Sequence, residues 1–122
     1  MKGTHLIVDL VGVRNIDALK SLAALQEVQR RVADACKLTV VDTSGFQFQP
    51  HGATSVLVLS ESHFSIHTWW EQAEAHADIF CCSDQFDPTL AVALLKTYMG
   101  SETANWAVVE RPLRSGSPHP AR

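Results

Sequence analysis

The chain has 122 residues, 46% of them hydrophobic, with a formal net charge of −3 and a pI near 6.0. This length and composition predict a single compact domain that can bury a core. No basic patch or stripe is visible, which argues against nucleic acid as a partner. No signal peptide and no apolar run long enough to span a membrane is recognisable, and three cysteines fit a reducing compartment, so we expect a cytoplasmic protein without membrane contact.

The first predicted elements are a strand and a long helix. Residues 4–13 read as the strand, and Asn15 or Asp17 begins an amphipathic helix that runs to about Cys36. Its apolar stripe is formed by Ile16, Leu19, Leu22, Leu25, Val28 and Val32.

Four shorter strand patterns follow. Residues 38–48 and 55–60 read as strands joined by a turn at residues 50–52, and residues 65–69 and 77–82 continue the series.

The last elements are a second helix and a final strand. Asp87 and Pro88 are typical of an N-cap and first helical residue, Gly100 ends the helix, and residues 103–110 alternate as a strand. The apolar positions of this helix are Leu90, Leu94, Leu95 and Tyr98.

Two strand-helix-strand units, residues 4–48 and 77–110, therefore enclose a central hairpin. This pattern predicts an α/β chain folded as an α+β two-layer sandwich, with a mostly antiparallel sheet and two helices packed on one face. We expect one domain over residues 1–110, followed by a flexible tail at residues 111–122 that is rich in proline and glycine.

Residues 60–71, SESHFSIHTWWE, concentrate hydroxyl, imidazole, carboxylate and indole groups. Such groups are poor core material because each needs a hydrogen-bond partner when buried, so the segment is either a site of chemistry or a strand end with its turn. Ser62 and His67 are separated by an odd offset, which places them on opposite faces of a straight strand. We therefore expect a turn or kink near Glu61 and Ser62, where a strained peptide bond would be open to attack.

Three further segments identify a family. They are GTHLIVDL at residues 3–10, FQFQPHGATSVLVLSESH at residues 46–63 and ADIFCC at residues 77–82. Together with ESHFSIHTW they resemble the small bacterial and archaeal S-adenosylmethionine decarboxylases, which are self-cleaving pyruvoyl enzymes. The resemblance covers most of the chain. It implies a dimeric enzyme that decarboxylates S-adenosylmethionine to an aminopropyl donor for polyamine biosynthesis.

The resemblance also implies how such a chain would mature. The Ser62 hydroxyl would attack the carbonyl of Glu61, and elimination with loss of ammonia would leave a covalent pyruvoyl group in place of Ser62. The products would be a β chain of residues 1–61 and an α chain of residues 62–122. The expected assembly is a homodimer of processed protomers with two chains of each kind.

The same resemblance implies two residues that assist processing. His67 matches the proton acceptor, and a near-neutral imidazole suits that work. Thr54 matches a hydroxyl that the family carries as a serine. Threonine keeps the hydroxyl but has a stiffer χ1, so the neighbouring Ser55 is an alternative after a one-residue slip.

In catalysis, the resemblance implies a Schiff base between the pyruvoyl carbonyl and the substrate amine, with the pyruvoyl group acting as electron sink. Cys82 matches the proton donor, whereas Cys81 is expected to be a buried, inert thiol because neighbours on a strand point to opposite sides. Cys82 would share its face with Asp78. Phe48 and Trp69 match the aromatic pair that stacks on adenine.

Glu71 matches the carboxylate that binds the ribose hydroxyls. Other positions depart from the family: Trp70 stands where a proline is usual, QAEAHAD replaces a Gly-Tyr segment, and Ser83 replaces a glycine. A pyruvoyl-dependent decarboxylase of ornithine or arginine, or a non-processing dimeric binding relative, therefore remains an alternative.

A metal site is a different class of function that the sequence also suggests. The candidate ligands are His63, His67, His76, Cys81 and Cys82. Their spacing matches no structural zinc pattern, so we expect no metal.

Overall fold

A computed structural model describes residues 2–60 and 62–112 of the chain. Two of the predicted features lie outside the described residues. They are Glu61, which precedes the predicted cleavage site, and residues 113–122, which form most of the predicted tail. The strands are β1 Lys2–Val13, β2 Val40–Gln47, β3 Ala53–Leu59, β4 Ser62–Trp69, β5 Glu74–Cys81 and β6 Ser101–Pro112. The helices are α1 Ile16–Lys20, α2 Leu22–Ala35 and α3 Pro88–Met99, with a 3₁₀ turn at Trp70–Gln72.

The six strands form one sheet in the order β2-β3-β4-β5-β1-β6, and every neighbouring pair is antiparallel. β3, β4 and β5 follow one another as a meander, while β1 lies between β5 and β6. The connections β1-α1-α2-β2 and β5-α3-β6 are the two predicted strand-helix-strand units. The predicted α+β sandwich with a mostly antiparallel sheet is thus confirmed.

Within residues 2–60 and 62–112 the helical layer contains three helices instead of the predicted two, because the long first helix is broken at Ser21. Ser21 has extended backbone angles (φ −113°, ψ 128°), and its hydroxyl accepts a hydrogen bond from the Ala24 amide as the N-cap of α2. A serine hydroxyl that satisfies the backbone locally favours a cap over a helix interior. Ile16 is accordingly 54% exposed and does not continue the predicted apolar stripe.

The second predicted helix has the expected ends. The Asp87 carboxylate accepts hydrogen bonds from the Thr89 and Leu90 amides, and Gly100 ends α3 with a φ of 61°. None of the helices within residues 2–60 and 62–112 has the length and apolarity to cross a membrane.

The two faces of the sheet differ in what covers them. On β4 the side chains of Phe64, Ile66 and Thr68 are buried beneath the helices, whereas His63 and His67 alternate onto the other face. The same alternation runs through β3 and β5. We call the surface opposite the helices the open face, and most of the predicted site residues lie on it.

Candidate active site

The predicted site residues fall into two groups at opposite ends of β4. Ser62 begins the strand, in register with Leu59 and Cys81, both of which face the helices. His67 is in register with Thr54 near the other end and lies on the open face. The odd offset would place the two residues on opposite faces of a straight strand, but the Ser62 hydroxyl reaches His63 on the open face. Five residues of extended strand separate them by roughly 16 Å.

The backbone at Ser62 is unusual. Its φ of 155° lies in a region that residues with a side chain seldom adopt. The expected strained peptide bond between residues 61 and 62 stays a prediction, because Glu61 lies outside the described residues.

The first group surrounds the carboxylate of Asp78. Ser62 Oγ lies 3.4 Å from His63 Nδ1, and His63 Nε2 lies 2.8 Å from Asp78 Oδ2. His5 Nε2 lies 2.7 Å from the same oxygen, and the Ser65 hydroxyl donates to the other carboxylate oxygen. We call these five residues the Asp78 network.

The network keeps Asp78 ionised. Partial burial alone would raise the pKa of Asp78, but hydrogen bonds from Ser65, His63 and His5 outweigh it and lower the pKa. One ligand atom from each of the two histidines and Asp78 lies within 4.8 Å of the others, a grouping that could hold a metal ion. The separations of 2.7 and 2.8 Å are hydrogen-bond distances, so the carboxylate is satisfied by its protein donors.

Sequence reasoning missed the Asp78 network as a unit. It considered His63 only as a zinc ligand and Asp78 only as sharing a face with Cys82. Alternation along β4 and β5 could have placed Ser65 opposite Asp78, which is its register partner. His5 joins them only because β1 pairs with β5, and no local pattern in the sequence indicates that pairing.

The cysteines near Ser62 differ in exposure. Cys81 is fully buried on the helix side, as expected. Cys82 follows the end of β5 and is partly exposed. The structure thus makes Cys82 the more accessible of the two, and its role as proton donor stays a prediction.

The second group is centred on His67. Thr54 Oγ1 lies 2.5 Å from His67 Nδ1, and the His67 ring contacts Trp69 and Phe48 edge-on, with ring centroids 4.4 and 5.9 Å away. Burial, and to a smaller extent the neighbouring His76, lower the pKa of His67. The imidazole is therefore neutral at neutral pH and can accept a proton.

Ser55 does not fit the alternative role of replacing Thr54. It is fully buried on the helix side of β3, where its hydroxyl donates to Gln29 Oε1 at 2.5 Å. Thr54 is the hydroxyl that reaches His67.

A cavity of about 440 Å³ adjoins His67. Its lining includes the three predicted substrate contacts, Phe48, Trp69 and Glu71. Trp70, the residue that replaces the usual proline, also lines the cavity and lies beneath Lys20 Nζ, which is 4.5 Å from its ring centroid. Two exposed aromatic rings, an imidazole and a carboxylate thus face one space, which suits a flat, partly cationic ligand bearing hydroxyl groups.

Comparisons with known proteins agree with this arrangement. The model of the S-adenosylmethionine decarboxylase family matches residues 4–112. A protein of Symbiobacterium thermophilum named S-adenosylmethionine decarboxylase proenzyme is 41% identical over 115 residues, covering 94% of this chain and 83% of its own. One of Aquifex aeolicus with the same name is 35% identical over 109 residues, covering 89% of this chain and 80% of its own. A crystal structure of the adenosylmethionine decarboxylase from Aquifex aeolicus superposes with a TM-score of 0.83 at 32% identity, covering 96% of each chain.

Proposed function

Because this chain belongs to the S-adenosylmethionine decarboxylase family, we propose that it decarboxylates S-adenosylmethionine with a pyruvoyl group formed from its own Ser62. The observation that carries the proposal is the cavity beside His67, where the expected adenine-stacking pair and the expected ribose carboxylate lie together. The name proenzyme, borne by the relatives, supports a self-processing precursor.

Maturation would begin at the Glu61–Ser62 peptide bond. The Ser62 hydroxyl attacks the Glu61 carbonyl, the C–N bond breaks, and an ester with a new amino group on Ser62 results. Elimination then removes the proton from Ser62 Cα, for which His67 with its lowered pKa and its Thr54 partner is the proposed acceptor. As the Cβ–Oγ bond breaks, Glu61 leaves as a free carboxylate, and the resulting enamine tautomerises to an imine. Water then replaces the imine nitrogen, which departs as ammonia, and the pyruvoyl group that remains supplies an electron sink for decarboxylation.

The separation of the two groups supports a homodimer. Ser62 and His67 lie roughly 16 Å apart on one strand, too far for proton transfer within one copy. The open face also exposes large apolar side chains that no helix covers: Ile7, Phe46, Val58, Trp69 and Val109. A second copy placed face to face about a two-fold axis would cover them, and each Ser62 would meet the His67 of its partner.

The remaining residues would serve the substrate. Phe48 and Trp69 would sandwich the adenine and attract the sulfonium charge, and Glu71 would accept hydrogen bonds from the ribose hydroxyls. Cys82, partly exposed next to the Ser62 end of β4, would return a proton to the substrate carbon after carbon dioxide leaves.

The first experiment is the denatured mass of the purified protein. We expect fragments of residues 1–61 and 62–122, the second lighter than a serine-started peptide by one ammonia. Release of carbon dioxide from S-adenosylmethionine, compared with ornithine and arginine, then identifies the substrate. A single uncut chain without decarboxylase activity would instead favour a dimeric binding relative.

Placement in the cytoplasm and the absence of a metal stay predictions. Cell fractionation and metal analysis of the purified protein would test them.

A further inference from the structure

We propose that His63 is the base that activates the Ser62 hydroxyl for the first step of self-cleavage, with Asp78 as its positioning residue. This rests on the proposed function, because it assigns a residue to the acyl shift that precedes elimination. The observation that carries it is the chain of contacts from Ser62 Oγ to His63 Nδ1 at 3.4 Å and from His63 Nε2 to Asp78 Oδ2 at 2.8 Å. Hydroxyl, imidazole and carboxylate thus follow one another in contact, the order found in nucleophile-base-carboxylate triads.

The carboxylate fixes which nitrogen of His63 can accept a proton. An ionised Asp78 only accepts hydrogen bonds, so His63 Nε2 must carry the hydrogen that it donates to Oδ2. In a neutral imidazole the other nitrogen, Nδ1, then has its lone pair available. Nδ1 is the atom that faces Ser62 Oγ.

The surrounding residues hold Asp78 in this role. His5 Nε2 donates to Oδ2 from β1, and Ser65 donates to Oδ1 from β4, so three donors from two strands bind one carboxylate. A carboxylate fixed in this way orients the His63 ring and stabilises its cation when it takes a proton.

Ser62 Oγ gives its proton to His63 Nδ1 as the Oγ–C bond to the Glu61 carbonyl carbon forms. When the bond between that carbon and the Ser62 nitrogen breaks, the imidazolium returns the proton to this nitrogen. The products are an ester and an amine, and His63 is again neutral. His67 is not used in this step, and the roughly 16 Å of strand between Ser62 and His67 places it outside reach within one copy.

Hydroxylamine separates the acyl shift from elimination, because it splits an ester and leaves an amide intact. Full-length precursor is made by cell-free translation and followed by mass spectrometry. The His67→Ala variant should stop at the ester, and hydroxylamine should release a second fragment that begins with an intact Ser62. The double variant His63→Gln with His67→Ala should release this fragment about 100-fold more slowly or less, since general-base catalysis contributes factors of that size.

His5→Gln is the matched comparison, because it removes the same kind of hydrogen bond to Asp78 from a histidine that does not contact Ser62. Since His5 helps to hold Asp78, this variant should be slower than wild type, but its cleavage should stay at least about 10-fold faster than that of His63→Gln. Asp78→Asn should slow the ester step, because an amide can donate to Nε2 and favour the other tautomer, whereas the exposed Asp9→Asn should not. Imidazole added to His63→Ala should restore cleavage but should not rescue Asp78→Asn.

The outcomes are distinguishable. A wild-type precursor that stays intact overturns the proposed function and this assignment with it. If the wild-type precursor is cut and the His63→Gln variant is cut as fast as the His5→Gln variant, only the role of His63 is overturned. Loss of cleavage in His63→Ala that imidazole does not restore, with an unchanged melting temperature, also overturns it.

Discussion

We expect a mixed dimer of Ser62→Ala and His67→Ala chains to perform a cleavage that neither variant performs alone. A proton acceptor must lie about 3 Å from its proton donor, whereas Ser62 and His67 of one copy are separated by five strand residues, or roughly 16 Å. If each site combines Ser62 of one copy with His67 of the other, the mixed dimer contains one complete site and one site that lacks both groups. Random pairing makes about half of the dimers mixed. In mixed dimers isolated from this population, every His67→Ala chain should be cut and no Ser62→Ala chain.

The assay is co-expression of the two variants with different affinity tags, tandem purification of mixed dimers, and denatured mass spectrometry of each chain. His67→Gln paired with His67→Ala is the matched control, because neither chain carries the imidazole and no complete site can form. Mixed dimers of Ser62→Ala and His67→Ala that purify intact and uncut would refute the shared site.

The other predictions concern single residues. Thr54→Val should slow elimination at least about 10-fold while Thr54→Ser restores it, as measured by the ratio of ester to cleaved chain, because only the hydroxyl contacts His67. Alkylation of the folded protein should label Cys82 first, because Cys81 is fully buried and burial raises the pKa of Cys36 to about 11. Peptide mass measures the labelled fraction of each cysteine, and equal labelling of all three would contradict the burial. The pKa of Asp78 is lowered from its ordinary 3.8, so its stabilising effect is complete above that value and is lost as the pH falls below it. Melting temperatures between pH 6 and pH 3 should therefore fall more steeply for wild type than for Asp78→Asn, and parallel curves would count against the network.

Local patterns in the sequence predicted what depends on neighbours along the chain. The Asp87-Pro88 start and Gly100 end of α3 follow from capping chemistry. The burial of Cys81 on the helix side follows from strand alternation along β5. The residues around the cavity were predicted from the resemblance to the family.

What the sequence could not supply depends on long-range pairing. The insertion of β1 between β5 and β6 brings His5 to Asp78, although 73 positions separate them. The break at Ser21 was also missed, because the apolar period continues through it while the serine side chain caps a new helix. The pairing of distant strands and the position of a helix cap depend on tertiary contacts, which cannot be deduced from hydrophobic periodicity.

The strand order has a consequence for a chain cut between residues 61 and 62. Strands β1, β2 and β3 would belong to the N-terminal fragment, and β4, β5 and β6 to the C-terminal fragment. Along the sheet order β2-β3-β4-β5-β1-β6, neighbouring strands therefore come from different fragments at three places. Three hydrogen-bonded ladders, β3 with β4, β5 with β1 and β1 with β6, would then join the fragments. Neither fragment could leave without dismantling the sheet, and a backbone break at the start of β4 would leave the two pieces interleaved as one cooperative folding unit.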